Sequence, residues 1–270
     1  MKARLQRALY RLDAAERSAR TASPLGAVDG RAKLLATVVF LATMLSLPLG
    51  SLSELLLYAL FPLAAAAMGR LDYGRICRRS LIAVPFVAFV GLFNVLCERT
   101  PVLRIGPLAV TEGWLSLLSL TVRGMLSVQA LLVLIESTGF HRLCRSMQLL
   151  GVPALFTTQL LFVHRYLFVL TQEALALSRA RDARSFGRAS YPLRTWATLV
   201  GQLLIRSFER AERIDRSMRA RGFTGRIPAA AGASAPWSLR DSCFAAGWSL
   251  LFVLLRTLHP AETLGRLLTD

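Results

Sequence analysis

The sequence has few charged residues and almost no lysine. Only 18% of its 270 residues are charged, against about 25% in an average soluble domain. Acidic residues are the scarcer sign: 33 Lys+Arg stand against 16 Asp+Glu, a formal net charge of +17, and only Lys2 and Lys33 are lysines. The hydrophobic content of 54% excludes a disordered chain, because disorder requires low hydrophobicity. High hydrophobicity with high positive charge instead indicates a membrane protein with a large basic surface.

Patterns that build metal sites, disulfide frameworks or ATPases are also missing from the sequence. The four cysteines lie far apart with no C-x-x-C spacing, and the three histidines are scattered with no H-E-x-x-H. Neither lysine completes the phosphate-binding pattern G-x-x-x-x-G-K-[ST], so ATP hydrolysis by that motif is excluded. We therefore predict no catalytic residues, no cofactor and no metal site in this chain.

Charge-free hydrophobic runs predict about five transmembrane helices and an all-α integral membrane protein. A helix needs about 20 apolar residues to cross the hydrocarbon core of a bilayer. The predicted spans are Leu34–Ser53, Leu55–Gly69, Ser80–Cys97, Gly113–Ile135 and Ser242–Leu255. Arg123 interrupts the fourth span. It is either a functional intramembrane charge or an arginine that lies near a helix end or extends to the membrane surface.

Positive charge alternates between the loops that join these spans. Residues 1–33 hold eight basic and three acidic residues, and residues 70–79 hold four and one. The 98–112 loop is balanced and the 48–53 linker is uncharged. By the positive-inside rule, this alternation predicts that the N-terminus and the long segment after the fourth span are cytoplasmic and that the C-terminus is external.

The long segment between the fourth and fifth spans is basic and has helical periodicity. Residues 178–226 hold twelve arginines and four acidic residues. One long helix is predicted from Gly151–Pro153 to about Arg184, and a second over 199–222 that ends at Gly222. The second helix has an apolar stripe of Leu204, Phe208, Ala211, Ile214 and Met218. It also has three i,i+4 charge pairs, Glu209–Arg213, Glu212–Arg216 and Asp215–Arg219.

The two predicted helices end in similar sequences. The pattern A-R-[SG]-F occurs at Ala183–Phe186 and again at Ala220–Phe223, 37 residues later. An arginine at a helix end can project its planar, permanently charged guanidinium toward carboxylates of a partner. The candidate coupling residues are Ala183, Arg184, Ser185, Ala220, Arg221 and Gly222.

At these residues the chain resembles the transmembrane T component (EcfT) of energy-coupling-factor (ECF) transporters. That family carries two short Ala-Arg-Ser/Gly motifs in a cytoplasmic coupling domain, which Ala183–Ser185 and Ala220–Gly222 match. Asp29–Leu35 is similar to its D-x-R-x-K-L-L pattern before the first span, and Leu149–Pro153 to its L-x-G-V-P pattern. Arg221–Gly225 is similar to the R-G-F-x-G ending of its cobalt/nickel subgroup, CbiQ.

The resemblance implies a non-catalytic scaffold subunit of an ATP-binding-cassette importer. Its implied partners are two ATP-binding-cassette ATPase subunits and a membrane S component that binds the substrate, here a metal-binding, CbiM-like subunit. Because the family's motif arginines dock in grooves of the ATPases, Arg184 is expected to meet one ATPase and Arg221 the other. Cobalt is the first expected cargo, with a link to cobalamin biosynthesis, and nickel or a vitamin are the alternatives.

The predicted organisation has four parts in the inner (cytoplasmic) membrane. Residues 1–33 form a basic cytoplasmic segment, 34–135 four transmembrane helices, 136–240 the cytoplasmic coupling domain, and 241–270 the last transmembrane helix and tail.

Two other classes of protein, a membrane enzyme and a nucleic-acid binder, fit the sequence less well than a transporter subunit. An integral-membrane enzyme would need clustered polar residues, and only Glu136, His141 and Arg142 qualify. A membrane-tethered nucleic-acid binder would explain the arginines of 178–226, but aromatic residues for base stacking are sparse there. We expect contact with the lipid bilayer and no nucleic-acid partner.

Overall fold

The computed structural model describes residues 24–48, 52–97, 101–105, 108–184, 193–225 and 237–258. Ten α-helices lie within these ranges, after a short 3-10 turn at Leu25–Ala27. The helices are α1 (Gly30–Leu45), α2 (Leu52–Tyr58), α3 (Leu60–Gly69), α4 (Tyr73–Ser80), α5 (Val84–Cys97), α6 (Glu112–Thr138), α7 (Phe140–Leu149), α8 (Ala154–Arg184), α9 (Leu193–Ala220) and α10 (Leu239–Leu258). The predicted all-α class is confirmed. One antiparallel hairpin, β1 (Pro101–Ile105) with β2 (Leu108–Thr111), is added between α5 and α6, where the sequence predicted only a loop.

The described residues fall into two compact units. Residues 24–146 and 237–258 form the first, which we call the bundle. Residues 147–225 belong to the second, which we call the arginine hairpin because it consists mainly of α8 and α9. Each unit is described separately.

Aromatic side chains fill the centre of the bundle. Phe40 of α1 packs against Phe61 of α3 with ring centroids 4.9 Å apart, and against Phe252 of α10 at 5.3 Å. The Tyr58 ring stacks on Phe252, and its hydroxyl donates a hydrogen bond of 3.1 Å to the Phe252 carbonyl. Because lipid is as apolar as these side chains, close packing rather than exclusion from water holds membrane helices together. This cluster therefore ties α10, which is remote in sequence, to the first three helices.

The helices match most predicted spans but differ at their ends. Four helical segments of the described chain are long and apolar enough to cross a membrane: Leu52–Gly69, Gly113–Thr138, Ala154–Arg184 and Leu239–Leu258. A fifth is possible if α4 and the start of α5, bent by 43°, form one broken span. The first predicted span was placed too late, because α1 begins at Gly30 and ends at Leu45, with only 16 residues. Proline disfavours the helical conformation in the residue before it, which explains why α1 does not continue through Pro48.

One of these apolar helices is α8, which the sequence predicted as a coupling helix rather than a span. Its first half is apolar and its last turns carry arginines, so its length and composition fit either a membrane span or an amphipathic helix.

Arg123 of α6 is buried and binds the end of α1. Its Nη1 atom donates a hydrogen bond of 2.9 Å to the Leu47 carbonyl, and its Nη2 atom donates to the Pro48 carbonyl. Carbonyls just after a helix have no partner within the helix, and the helix dipole makes that end partially negative. The contacts of Arg123 thus support a structural role, in which the arginine lies near the end of α1.

We predict that Arg123→Met destabilises the bundle. The buried Leu47 carbonyl loses the Arg123 donor, and an unmade buried hydrogen bond costs about 1–3 kcal/mol. The matched control is Arg256→Met, because Arg256 donates to the Ser46 carbonyl at the same helix end from an exposed position. Thermal unfolding in detergent should show a clearly lower midpoint for Arg123→Met than for Arg256→Met. Equal midpoints with loss of transport would instead assign Arg123 a functional role.

Candidate functional site

The arginine hairpin consists of two long antiparallel helices that contact each other at both ends and in the middle. Near the end of α8, the Arg181 guanidinium lies 5.8 Å from the centroid of Trp196 near the start of α9. Near the start of α8, Phe162 packs against Phe223, just after α9, at 6.3 Å. Contacts that advance along α8 therefore move backward along α9, which makes the pair antiparallel.

An ion pair joins the middles of the two helices. Arg210 Nη2 of α9 donates a hydrogen bond of 2.7 Å to Glu173 Oε2 of α8. Arg206, one turn earlier on α9, approaches the other oxygen of Glu173 at 3.9 Å. The Glu173 side chain is only 15% exposed, so water screens this pair less than an exposed one.

The predicted apolar stripe of α9 lines a cleft against α8. The cleft has a volume of about 390 Å³ and is walled on the α8 side by Phe162, Tyr166 and Leu170. Four of the five stripe residues line it: Phe208, Ala211, Ile214 and Met218. Leu204 does not line the cleft and is 53% exposed, so the stripe prediction is right for the second half of α9 only.

Backbone geometry confirms the predicted end of α9 at Gly222. Its φ of +79° lies in the left-handed region that favours glycine. The Phe223 N–H donates to the Met218 carbonyl at 3.0 Å and the Gly222 N–H to the Arg219 carbonyl at 2.9 Å, which is the Schellman arrangement. Because the chain reverses here, Phe223 packs back on Phe162 while Arg221 stays exposed at the helix end.

All three predicted charge pairs on α9 are present. The shortest N–O distances are 3.9 Å for Arg213–Glu209, 3.0 Å for Arg216–Glu212 and 2.9 Å for Arg219–Asp215. Exposed pairs of this kind contribute little stability. Their effect is to neutralise the arginines along the second half of α9.

The two motifs lie at opposite ends of the arginine hairpin. Ala183 and Arg184 are in the last turn of α8, Ala220 is the last residue of α9, and Arg221 and Gly222 follow it. Ser185 lies outside the described residues. Arg184 and Arg221 are both exposed, and neither forms an ion pair within the described ranges. The structure therefore presents two separate cations rather than one combined site.

In the bundle, the Asp29–Leu35 pattern joins three helices. Asp29 caps α1 by accepting the Arg31 N–H at 2.8 Å, and its own N–H donates to Asp241 Oδ1 of α10 at 2.7 Å. Lys33 Nζ donates to the Ser137 carbonyl of α6 at 3.3 Å. Burial alone would raise the pKa of Asp29, but the hydrogen bonds and the charge of Arg31 lower it overall, so the cap stays ionised.

The residues considered for an enzyme site have structural partners in the bundle. Glu136 forms an ion pair with Arg79, and Arg142 Nε donates to the Thr138 carbonyl at 2.8 Å. Among the described residues, no three His, Cys, Asp or Glu side chains are grouped so as to hold a metal ion.

Sequence reasoning missed Glu173 and Asp241. The only usable signal for Glu173 was its position as the one acidic residue between Ala154 and Arg181. Asp241 was read only as the boundary of the last span, because its partner Asp29 is 212 positions away.

We predict opposite effects for two glycine-to-alanine changes in α9 and its cap. Gly222→Ala places a side chain at positive φ and should destabilise the arginine hairpin by about 1–2 kcal/mol. Gly201→Ala, in the helix interior with nothing within 4 Å of the added Cβ, should stabilise it by about 0.5–1 kcal/mol. The midpoints of thermal unfolding of the two variants, compared with that of the unmodified chain, test both predictions. Stabilisation by Gly222→Ala would contradict the assigned cap.

The chain is similar to known proteins over most of its length. The model of the family described as "CbiQ: Cobalt transport protein" matches residues 21–230. The chain is 28% identical to the cobalt transport protein CbiQ of Salmonella typhimurium over 169 residues, which is 58% of this chain and 74% of that protein. It is 22% identical to an uncharacterised protein of Methanocaldococcus jannaschii over 224 residues, 78% of this chain and 75% of that protein. The chain belongs to the CbiQ family of cobalt transport proteins.

Proposed function

We propose that this protein is the membrane scaffold subunit of an ECF-type cobalt importer, and that Arg184 and Arg221 connect it to a pair of partner ATPases. Family membership supports cobalt transport. One structural observation carries the rest of the proposal: the two similar motifs end two helices of one antiparallel pair and leave one exposed arginine at each end. Two ATPases can engage two separated anchors without competing for one surface.

The chemistry of the anchors suits this role. A guanidinium offers five N–H donors in a fixed plane and pairs with a carboxylate through two parallel hydrogen bonds. The small residues of the motifs, Ala183, Ser185, Ala220 and Gly222, leave room for a partner to approach the arginine closely. A long helix then carries a displacement of its end along its length, because its backbone is internally hydrogen-bonded.

The substrate would be bound by a separate membrane S component of the metal-binding, CbiM-like type. In this proposal cobalt is the cargo and nickel is the alternative. ATP binding and hydrolysis belong to the partner ATPases.

We further propose that the protein lies in the cytoplasmic membrane with its N-terminus and the arginine hairpin inside the cell. The basic loops at 1–33 and 70–79 support this orientation through the positive-inside rule. If α8 crossed the membrane instead, its basic last turns and all of α9 would lie on the opposite side.

Reporter fusions test the orientation. A reporter fused after Arg226 is expected to be cytoplasmic and one fused after Asp270 external. The reverse pattern, with 226 external and 270 cytoplasmic, would make α8 a membrane span and would overturn the assignment of the arginine hairpin to the cytoplasm.

Charge reversal tests the two anchors. Loss of one partner of a desolvated charge pair costs about 2–5 kcal/mol at an interface. Arg184→Glu or Arg221→Glu should therefore weaken co-purification of the ATPases and lower cobalt uptake while the chain still inserts in the membrane. The double change should be worse than either single change, because the two anchors engage different subunits.

The matched controls are Arg179→Glu on α8 and Arg194→Glu on α9, both exposed and both outside the motifs. Each should lower ATPase association by less than about 1 kcal/mol, as exposed surface charges do. If the controls weaken association as much as the motif changes, the basic charge acts collectively and the two-anchor proposal is wrong. Co-purification of nucleic acid in place of ATPases would favour the nucleic-acid alternative.

A further inference from the structure

We propose that the ion pair between Glu173 and Arg210 positions the two anchors by fixing how far α9 is shifted along α8. This inference rests on the proposed function of Arg184 and Arg221. We call the ion pair the Glu173–Arg210 clasp. It assigns positioning roles to two residues that touch neither ATPase nor substrate.

The clasp lies at equivalent points of the two helices. Glu173 and Arg210 are 37 positions apart, which is also the spacing of Arg184 and Arg221. Each anchor therefore follows its clasp residue by the same interval, 184 − 173 = 11 and 221 − 210 = 11 positions. At a rise of about 1.5 Å per residue, each anchor lies about 16 Å along its helix from the clasp.

Because the helices are antiparallel, these two equal distances run in opposite directions. The anchors are thus separated by about 33 Å along the arginine hairpin, with the clasp at the midpoint. If α9 slides along α8, the separation of Arg184 and Arg221 changes by the full length of the slide. A contact that fixes the position of α9 along α8 therefore also fixes the distance between the two anchors.

The clasp is suited to fix the shift because the other contacts between the helices are less specific. The walls of the apolar cleft are mainly aromatic and aliphatic side chains, whose burial is non-directional. The charge pair is directional, and its carboxylate is 15% exposed. Among the described residues, Glu173 is the carboxylate that the half-buried Arg210 guanidinium binds, through Nη2, while its Nε is buried without a hydrogen-bond partner.

Arg206 marks the alternative position. It lies one turn before Arg210 and already approaches the same carboxylate at 3.9 Å. A slide of one turn, about 5.4 Å, would exchange the two arginines on Glu173. In the present arrangement the shorter distance belongs to Arg210, at 2.7 Å.

The experiment measures the anchor spacing directly in the full-length chain. Spin labels are attached at Ala183→Cys and Ala220→Cys after the four native cysteines are changed to serine, and the distance distribution is recorded by pulsed electron resonance. The unmodified clasp should give one narrow distribution. Glu173→Gln and Arg210→Gln should each broaden or shift it. The reversed pair Glu173→Arg with Arg210→Glu, made together with Arg206→Gln so that Arg206 opposes neither change, should restore a narrow distribution.

The control is Glu212→Gln, which removes an exposed Arg–Glu pair that lies within α9 and does not join the two helices, and it should leave the distribution unchanged. An unchanged distribution in both clasp variants, even with a lower melting temperature, would show that the pair only adds stability and would overturn the inference. A reversed pair that fails to restore the narrow distribution would also overturn it. The distance measurement needs no ATPase, so it tests the role of the clasp even if the proposed binding of ATPases is wrong.

Discussion

The antiparallel packing of α8 against α9 is the constraint on which the placement of the motifs depends. Two helices that end in the same four-residue pattern would bring these patterns together if they ran parallel. Because the helices run antiparallel, the patterns lie at opposite ends of the pair. The helices meet at apolar side chains that line a cleft along one part of the pair and at a half-buried ion pair at its centre. The two contacts differ in kind: the side chains that line the cleft provide apolar contact surface, and the ion pair depends on the relative position of its two partners.

The bundle uses polar contacts in a comparable way at the ends of its helices. Arg123 binds the carbonyls that follow α1, and Asp29 both caps the start of α1 and donates its own N–H to the carboxylate of Asp241 on α10. Backbone groups at helix ends have no partner within the helix, and lipid offers them none. Side chains from distant helices therefore satisfy them, and the same contacts that complete one helix also attach it to another.

Much of the fold could be predicted from the sequence because its signals are local. Charge-free runs located the second, fourth and fifth predicted spans within a few residues, although the first was placed too late. Gly222 and the i,i+4 spacings predicted the end and the surface pairs of α9. The errors came where local signals were absent or ambiguous. The β1–β2 hairpin was missed although the turn dipeptide Gly106–Pro107 stands between its strands in the sequence, because apolar runs of four or five residues are ambiguous on their own. The α8 helix combines an apolar half with a basic end. Glu173 could not be assigned a role, because its partner is set by how two helices pack and not by spacing along one of them.

The three surface ion pairs of α9 determine where along the helix its net positive charge lies. Arg213, Arg216 and Arg219 each have an acidic residue four positions earlier, so these three positive and three negative charges cancel, while Arg210 is paired with Glu173 of α8. Arg221 is the first to follow an uncharged residue at that spacing, Ser217. The electric field of the second half of α9 is therefore concentrated at its tip rather than spread along its length. Exposed charges interact over about one Debye length, ~8 Å at physiological ionic strength. The unpaired positive charge in the second half of α9 therefore acts close to the tip of the helix and much less along the side that carries the pairs.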